Sequence, residues 1–153
     1  MELVPLTEEE LADYIRVAAQ QYSEQKISMG GVPEQEAIRQ AEQETAQMFP
    51  EGRLLPGHEV LKLVDDSGNK LGRIWLGPRQ EEAGLAFVYD LYVEPHLRGQ
   101  GHARALMKLA HERAQAEGYD SISLHVFGRN QPAIKLYSSM GYEVADLVMR
   151  RRL

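Results

Sequence analysis

The residues Arg98-Gly99-Gln100-Gly101-His102-Ala103 lie between an apolar run, Leu91-Tyr92-Val93, and a helical pattern carried by Ala103, Leu106, Met107, Ala110 and Ala114. This order predicts a strand stopped at Glu94-Pro95, a glycine turn and a helix. The N–H groups of a helix's first turn have no partner inside the helix and sit at the positive end of its dipole, and glycines there remove β-carbons that would hold a phosphate away. A diphosphate is the group such a turn can hold. A G-x-G also serves a plain tight turn, so its chemistry depends on the residues downstream.

About twenty residues after the turn comes Leu124-His125-Val126-Phe127-Gly128-Arg129-Asn130-Gln131-Pro132-Ala133-Ile134-Lys135-Leu136-Tyr137, closed by Met140-Gly141-Tyr142. This segment reads as strand, loop, short helix and stop, with Asn130 as N-cap, Pro132 in the first turn and Gly141 just past the end. Here the chain resembles the GNAT superfamily of acetyl-CoA-dependent N-acyltransferases. The family's pyrophosphate motif, Gln/Arg-x-x-Gly-x-Gly/Ala, matches Arg98, Gly101 and Ala103. Its later Asn-x-x-Ala-x-x-x-Tyr pattern matches Asn130, Ala133 and Tyr137, in the expected order and about thirty residues on.

The resemblance implies an α/β (α+β) fold, a mixed and mostly antiparallel central sheet flanked by helices on both faces, as a single domain over residues 1–153. It implies acetyl-CoA as co-substrate, its diphosphate held by Arg98, Gly99, Gln100, Gly101, His102, Ala103 and Arg104. The main chain of Leu91, Tyr92 and Val93 would pair with the pantetheine arm and polarise the thioester carbonyl. Asn130, Ala133 and Tyr137 complete the cofactor-binding set, Asn130 by holding the pantetheine arm or an ordered water. Tyr137 takes the place of the tyrosine that protonates the departing sulfur in similar proteins; the other reading is an aromatic side chain closing its helix against the core.

Amide formation also needs an amine that has lost its proton. His125 stands twelve positions before Tyr137, where some relatives that acetylate peptide N-termini carry a glutamate, and an imidazole there could accept the proton directly or through water. Alternation sets Ser123, His125 and Phe127 opposite Ile122, Leu124 and Val126, which equally suits a structural histidine. Asp90 is the rival base and shares a face with Tyr92; it could instead hold a neighbouring loop. The acceptor is expected to be a primary amine, small and polyamine-like or an amino sugar, or a protein lysine or N-terminus, with Trp75, Tyr89 and Tyr92 as aromatic neighbours. The alternative is a non-catalytic CoA-binding sensor or scaffold of the same fold.

Composition narrows the field. The 153 residues contain no cysteine, which excludes disulfides, thiolate metal sites and a cysteine nucleophile. His111-Glu112 lacks the second histidine of a zinc-protease helix, and no metal is expected. His58, His96 and His111 read as surface groups. Residues 1–51 carry three basic and eleven acidic side chains, so the first third is the acidic part of a chain of net charge −6. Solvated helix faces explain that asymmetry more simply than a cleft attracting cationic substrates. Arg150-Arg151-Arg152 lacks interleaved aromatics, and the overall charge opposes a nucleic-acid partner. No basic segment leads into an apolar run at the N-terminus, and no stretch is apolar enough to span a bilayer. A cytoplasmic protein with no membrane partner is expected, and a homodimer stays open.

The elements that must position these residues can be read in turn. Glu2 to Pro5 suits a first strand; Thr7 and Glu10 form a capping-box pattern ahead of a helix on Leu11, Tyr14, Ile15, Ala18 and Tyr22 to about Gln25. Pro33 opens a second helix with a narrow buried face, ending near Phe49-Pro50. Glu59–Val64 and Lys70–Leu76 are strands joined by an Asp65–Asn69 turn, and Leu85–Val93 is the next. Strands from Ser121 to Phe127 and from Tyr142 to about Arg151 are expected to finish the sheet.

Overall fold

In the computed structural model, which describes residues 1–153, the elements are β1 (Glu2–Pro5), α1 (Glu8–Met29), α2 (Glu34–Met48), β2 (Glu59–Val64), β3 (Lys70–Pro78), β4 (Leu85–Val93), α3 (His102–Ala116), β5 (Ser121–Leu124) and α4 (Gln131–Ser139). The strands form one sheet in chain order. β1 to β4 are antiparallel neighbours, whereas β4 and β5 run parallel. A parallel step cannot be made by a hairpin, and α3 supplies the crossover.

Helices cover both faces. On one, Leu61, Leu63, Ile74, Leu76, Val88 and Val93 of the sheet close on Leu106, Met107 and Ala110 of α3, with Tyr137 of α4 packed at the margin. On the other, Val60 and Trp75 meet Phe49, and Leu11, Tyr14 and Ile15 of α1 lie against them. α2 buries Ala37, Ala41 and Thr45, one narrow stripe at i, i+4, i+8. No helix is long and apolar enough to cross a membrane.

Local signals explain where α1 sits. Thr7 Oγ1 accepts from the Glu10 amide at 3.2 Å and Glu10 Oε2 accepts from the Thr7 amide at 2.8 Å, a reciprocal cap whose threonine contributes about 1 kcal/mol. Lys62 of β2 donates to the same carboxylate at 2.6 Å, ties α1 to the sheet and holds the Glu10 carboxyl below its usual range, with the Thr7 amide assisting. α1 runs four residues past Gln25, to Met29, because Lys26 pairs with Glu44 of α2 and the stop is Gly30, at φ +73°.

The partnering of β3 with β4 slips by one residue. Trp75 lies opposite Asp90 and Leu76 opposite Val88, so Tyr89 is extra, a β-bulge. Two expectations fail beside it. β5 stops at Leu124 instead of Phe127, because it pairs only with Leu85–Val88, before the bulge, and residues 125–127 have no ladder to join. The strand expected from Tyr142 to about Arg151 does not form. The edge it would join is four residues long, Val144, Leu147, Val148 and Met149 do not alternate, and three successive arginines repel one another; these four apolar side chains are exposed.

Candidate active site

The glycine turn is placed as the sequence implies, with a refined reason for its glycines. Gly99 and Gly101 have φ of +76° and +86°, and Gly101 is the left-handed N-cap of α3. An added β-carbon at either would meet nothing in the protein within 4 Å. It is the backbone conformation that requires glycine, and the space in front of the turn is open. No side chain caps α3; the first helical bond is from the Ala105 amide to Gly101 O, so the amides of His102, Ala103 and Arg104 have no intrahelical acceptor. Arg98 is not free to reach outward by its whole length: Nε donates to Val93 O at 3.1 Å and locks the turn to the end of β4. Gln100 donates to His96 O, and Arg104 donates to Ser139 Oγ of α4 at 2.7 Å.

Because β5 ends opposite Val88, the outer edge of β4 from Tyr89 through Leu91, Tyr92 and Val93 has no strand beside it. α4 is tied to the start of α3, which follows β4, by the bond from Arg104 to Ser139 and by Tyr137 on the shared core. Asn130 Oδ1 accepts from the Ala133 amide at 3.4 Å as its N-cap. Tyr137 packs against the core and lies 5.7 Å from the Tyr142 ring, while its hydroxyl has no protein partner. Burial raises the Tyr137 phenol above its ordinary value, so the hydroxyl holds its proton at neutral pH. His125 is exposed, beyond the end of β5, with its ring edge-on to Phe127 at 5.0 Å and no hydrogen bond.

On the opposite face of the sheet the bulge brings Tyr89 and Asp90 to the same side. They help line a pocket of about 190 Å³ with Tyr14, Val17, Ala18, Gln21, Tyr22 and Gln25 of α1 and with Arg73 and Trp75 of β3. Trp75 stacks on Tyr89 at 4.8 Å between centroids. Arg73 Nε donates to Asp90 Oδ2 at 2.9 Å, and the Tyr14 hydroxyl donates to the same oxygen at 3.1 Å. The guanidinium lies between two rings, 5.2 Å from the centroid of Tyr14 and 4.3 Å from that of Tyr92. Burial and then the Asp90 charge push the Tyr14 phenol well up, fixing it as a donor. His125 is not among the lining residues, so the two candidate bases stand in different surroundings.

Sequence reading missed Arg73 and Tyr14 as partners of Asp90. The available signal was one cation at an inward position of an apolar strand, Leu71-Gly72-Arg73-Ile74-Trp75. Two histidines read as surface groups are half-buried instead: His58 Nδ1 accepts from Trp75 Nε1 at 3.1 Å, and His111 Nε2 lies 2.8 Å from the Tyr142 hydroxyl. Burial lowers the pKa of both. A larger hollow, about 400 Å³, lies at the other end of β3; its Arg113 is taken up by Glu59 and Glu117. No three His, Cys, Asp or Glu side chains are grouped to hold a metal ion.

These features have parallels in known proteins. Residues 19–142 match the acetyltransferase (GNAT) family. The chain is 33% identical to the uncharacterized N-acetyltransferase YdgE of Bacillus subtilis, over 99% of this chain and 97% of that one, and 30% identical to YycN of the same organism over the same shares. The crystal structure of the YycN putative acetyltransferase superposes with a TM-score of 0.82 over 99% of this chain and 97% of that one. With the family's segment spanning both the glycine turn and the helix of Tyr137, the chain belongs to the acetyltransferase (GNAT) family and is an N-acetyltransferase.

Proposed function

We propose that the protein transfers the acetyl group of acetyl-CoA to a small primary amine by direct attack, with the cofactor lying in the opening between β4 and α4. The observation that carries this reading is the unpaired edge of β4 after Val88, which leads to the glycine turn at the start of α3, where Arg104 holds Ser139 of α4. The diphosphate would take the free amides of His102, Ala103 and Arg104. The pantetheine arm would run along Leu91–Val93, whose main-chain groups are of the right kind to bond its amides. Asn130 and Ala133 border the arm at the start of α4. The amine nitrogen attacks the thioester carbon, the carbon–sulfur bond breaks, Tyr137 gives its proton to the departing thiolate, and the nitrogen loses one proton to a base.

Asp90 is the better placed base, because it lines the pocket opposite the β4 edge and keeps one oxygen, Oδ1, free of protein donors. His125 remains the rival, through water. Thiol release from acetyl-CoA in the presence of a panel of primary amines tests the assignment, together with calorimetry for acetyl-CoA. Amine-dependent release is expected; cofactor binding without turnover on any amine would leave a binding domain and sink the proposal.

A further inference from the structure

The pocket beneath Asp90 differs from what a polycation needs. The six lining positions on α1 are uncharged, and the carboxylates of the acidic first third are engaged elsewhere or exposed: Glu10 with Lys62, Glu36 with Arg39, Glu44 with Lys26. The one carboxylate in the pocket is already paired with the one cation. A second ammonium group on the acceptor would find no partner there, and burying an unpaired charge is costly.

The pair is itself incomplete. Arg73 uses only Nε, so both terminal nitrogens lack a protein acceptor, and Asp90 uses only Oδ2, so Oδ1 lacks a donor. The side chains are 15% and 31% exposed, largely withdrawn from solvent yet open on one side. Their free ends present two donor nitrogens next to one acceptor oxygen. From this juxtaposition, and resting on the proposed acetyl transfer, we infer that the acceptor is an α-amino acid, or an amine bearing a carboxylate on the adjacent carbon. Its carboxylate lies on the terminal nitrogens of Arg73, its amine donates to Asp90 Oδ1, and its side chain rests among Tyr22, Trp75 and Tyr89. The two substrate groups are separated by one carbon, as the two protein groups are neighbours in one ion pair. A zwitterion brings no net charge to a pocket that has none. At about 190 Å³ the space is below the roughly 300–1,000 Å³ of drug-sized sites, which suits a single apolar or aromatic residue rather than a peptide segment.

The test compares three acceptors sharing one side chain: phenylalanine, phenylalaninamide and phenethylamine, with the leucine series in parallel. On the wild-type protein, kcat/KM for the amino acid is expected to exceed that for the amide and the decarboxylated amine by about 10-fold or more, the loss typical of an unmatched charged partner. An amino amide keeps more of its amine neutral near neutral pH than the amino acid does, so intrinsic reactivity opposes this result. In Arg73→Gln the ratio should collapse toward one, and in Arg73→Lys it should survive in part. Equal or better use of the amide or the plain amine overturns the inference and leaves acetyl transfer standing. A preference unchanged in both Arg73 variants overturns it as well, and failure to acetylate any amine removes the proposed function and this inference together.

Discussion

The two sides of the site are made of different material. Toward α3 and α4 the groups offered are mostly main chain, the free amides after Gly101 and the unpaired edge of β4, joined by one hydroxyl, that of Tyr137. Toward α1 they are side chains, Tyr14, Arg73, Trp75, Tyr89 and Asp90, brought from three elements and held by each other. A main-chain site demands few residue types at fixed spacing and therefore suits a constant ligand. A side-chain site can be rewritten one residue at a time, and under the proposed transfer it is the side that would choose the acceptor.

If that division holds, changes on each side should be felt separately. The largest effect is expected from Tyr137→Phe, which removes only the hydroxyl: kcat should fall about 10- to 1000-fold while acetyl-CoA affinity and acceptor KM stay close to wild type. Full turnover in this variant would mean that the thiolate leaves without help from α4. Gly101→Asp adds a strained backbone and a negative charge at the open turn, and calorimetry should show acetyl-CoA binding weakened by about 100-fold or more. Circular dichroism would confirm that the variant folds, and unchanged affinity would move the diphosphate elsewhere.

The base tests which region supplies the proton acceptor. Asp90→Asn should lower kcat/KM for the amine about 10- to 100-fold, with His125→Ala within about threefold of wild type. The opposite ranking would transfer the role to the segment after β5. A pH profile that follows each acceptor's own pKa and survives both substitutions would mean that the protein only selects the neutral amine. Smaller still, Tyr14→Phe removes one donor from Asp90 and should raise acceptor KM by roughly three- to tenfold without touching acetyl-CoA affinity. A matching loss of cofactor affinity would show that the two sides are not independent.

The smallest effect is one of stability. His58 supports Trp75 as a neutral acceptor, and burial lowers its pKa below the ordinary 6.5. The unfolded chain therefore takes up a proton before the folded one does, and stability is lost as pH falls from about 6.5 toward the folded value. Thermal melts between pH 7.5 and 5 should show this slope reduced in His58→Gln, though His111 keeps a share. An unaltered slope would place the titration elsewhere.

Legibility in the sequence divides along the same line. Leu85–Val93, the turn at Gly99 and Gly101, and the caps at Thr7 and Asn130 depend on neighbours within a few positions, and all are found as expected. The length of β5 depends on where β4 leaves it, a three-dimensional event that alternation in residues 121–127 cannot reveal. The final strand failed for a related reason, since β propensity without an adequate edge gives no ladder. Arg73 was overlooked because a cation in a half-buried strand ordinarily faces water; only the placement of α1 over β3 turns it inward, where Tyr14 lies 76 positions from its partner Asp90.

The extra residue in β4 leaves that strand out of step with itself. In plain alternation Tyr89 and Asp90 would look to opposite faces, and Val88 and Leu91 would as well. As built, Tyr89 and Asp90 both look toward α1, while Val88 and Leu91 both look toward α3. Losing Tyr89 would restore plain alternation, with Leu85–Val88 and Asp90–Val93 facing as they do now, and would take away one aromatic wall of the pocket. The extra residue thus serves the pocket and not the ladder: a β4 shortened at position 89 should keep its core face and lose the ring that stacks on Trp75.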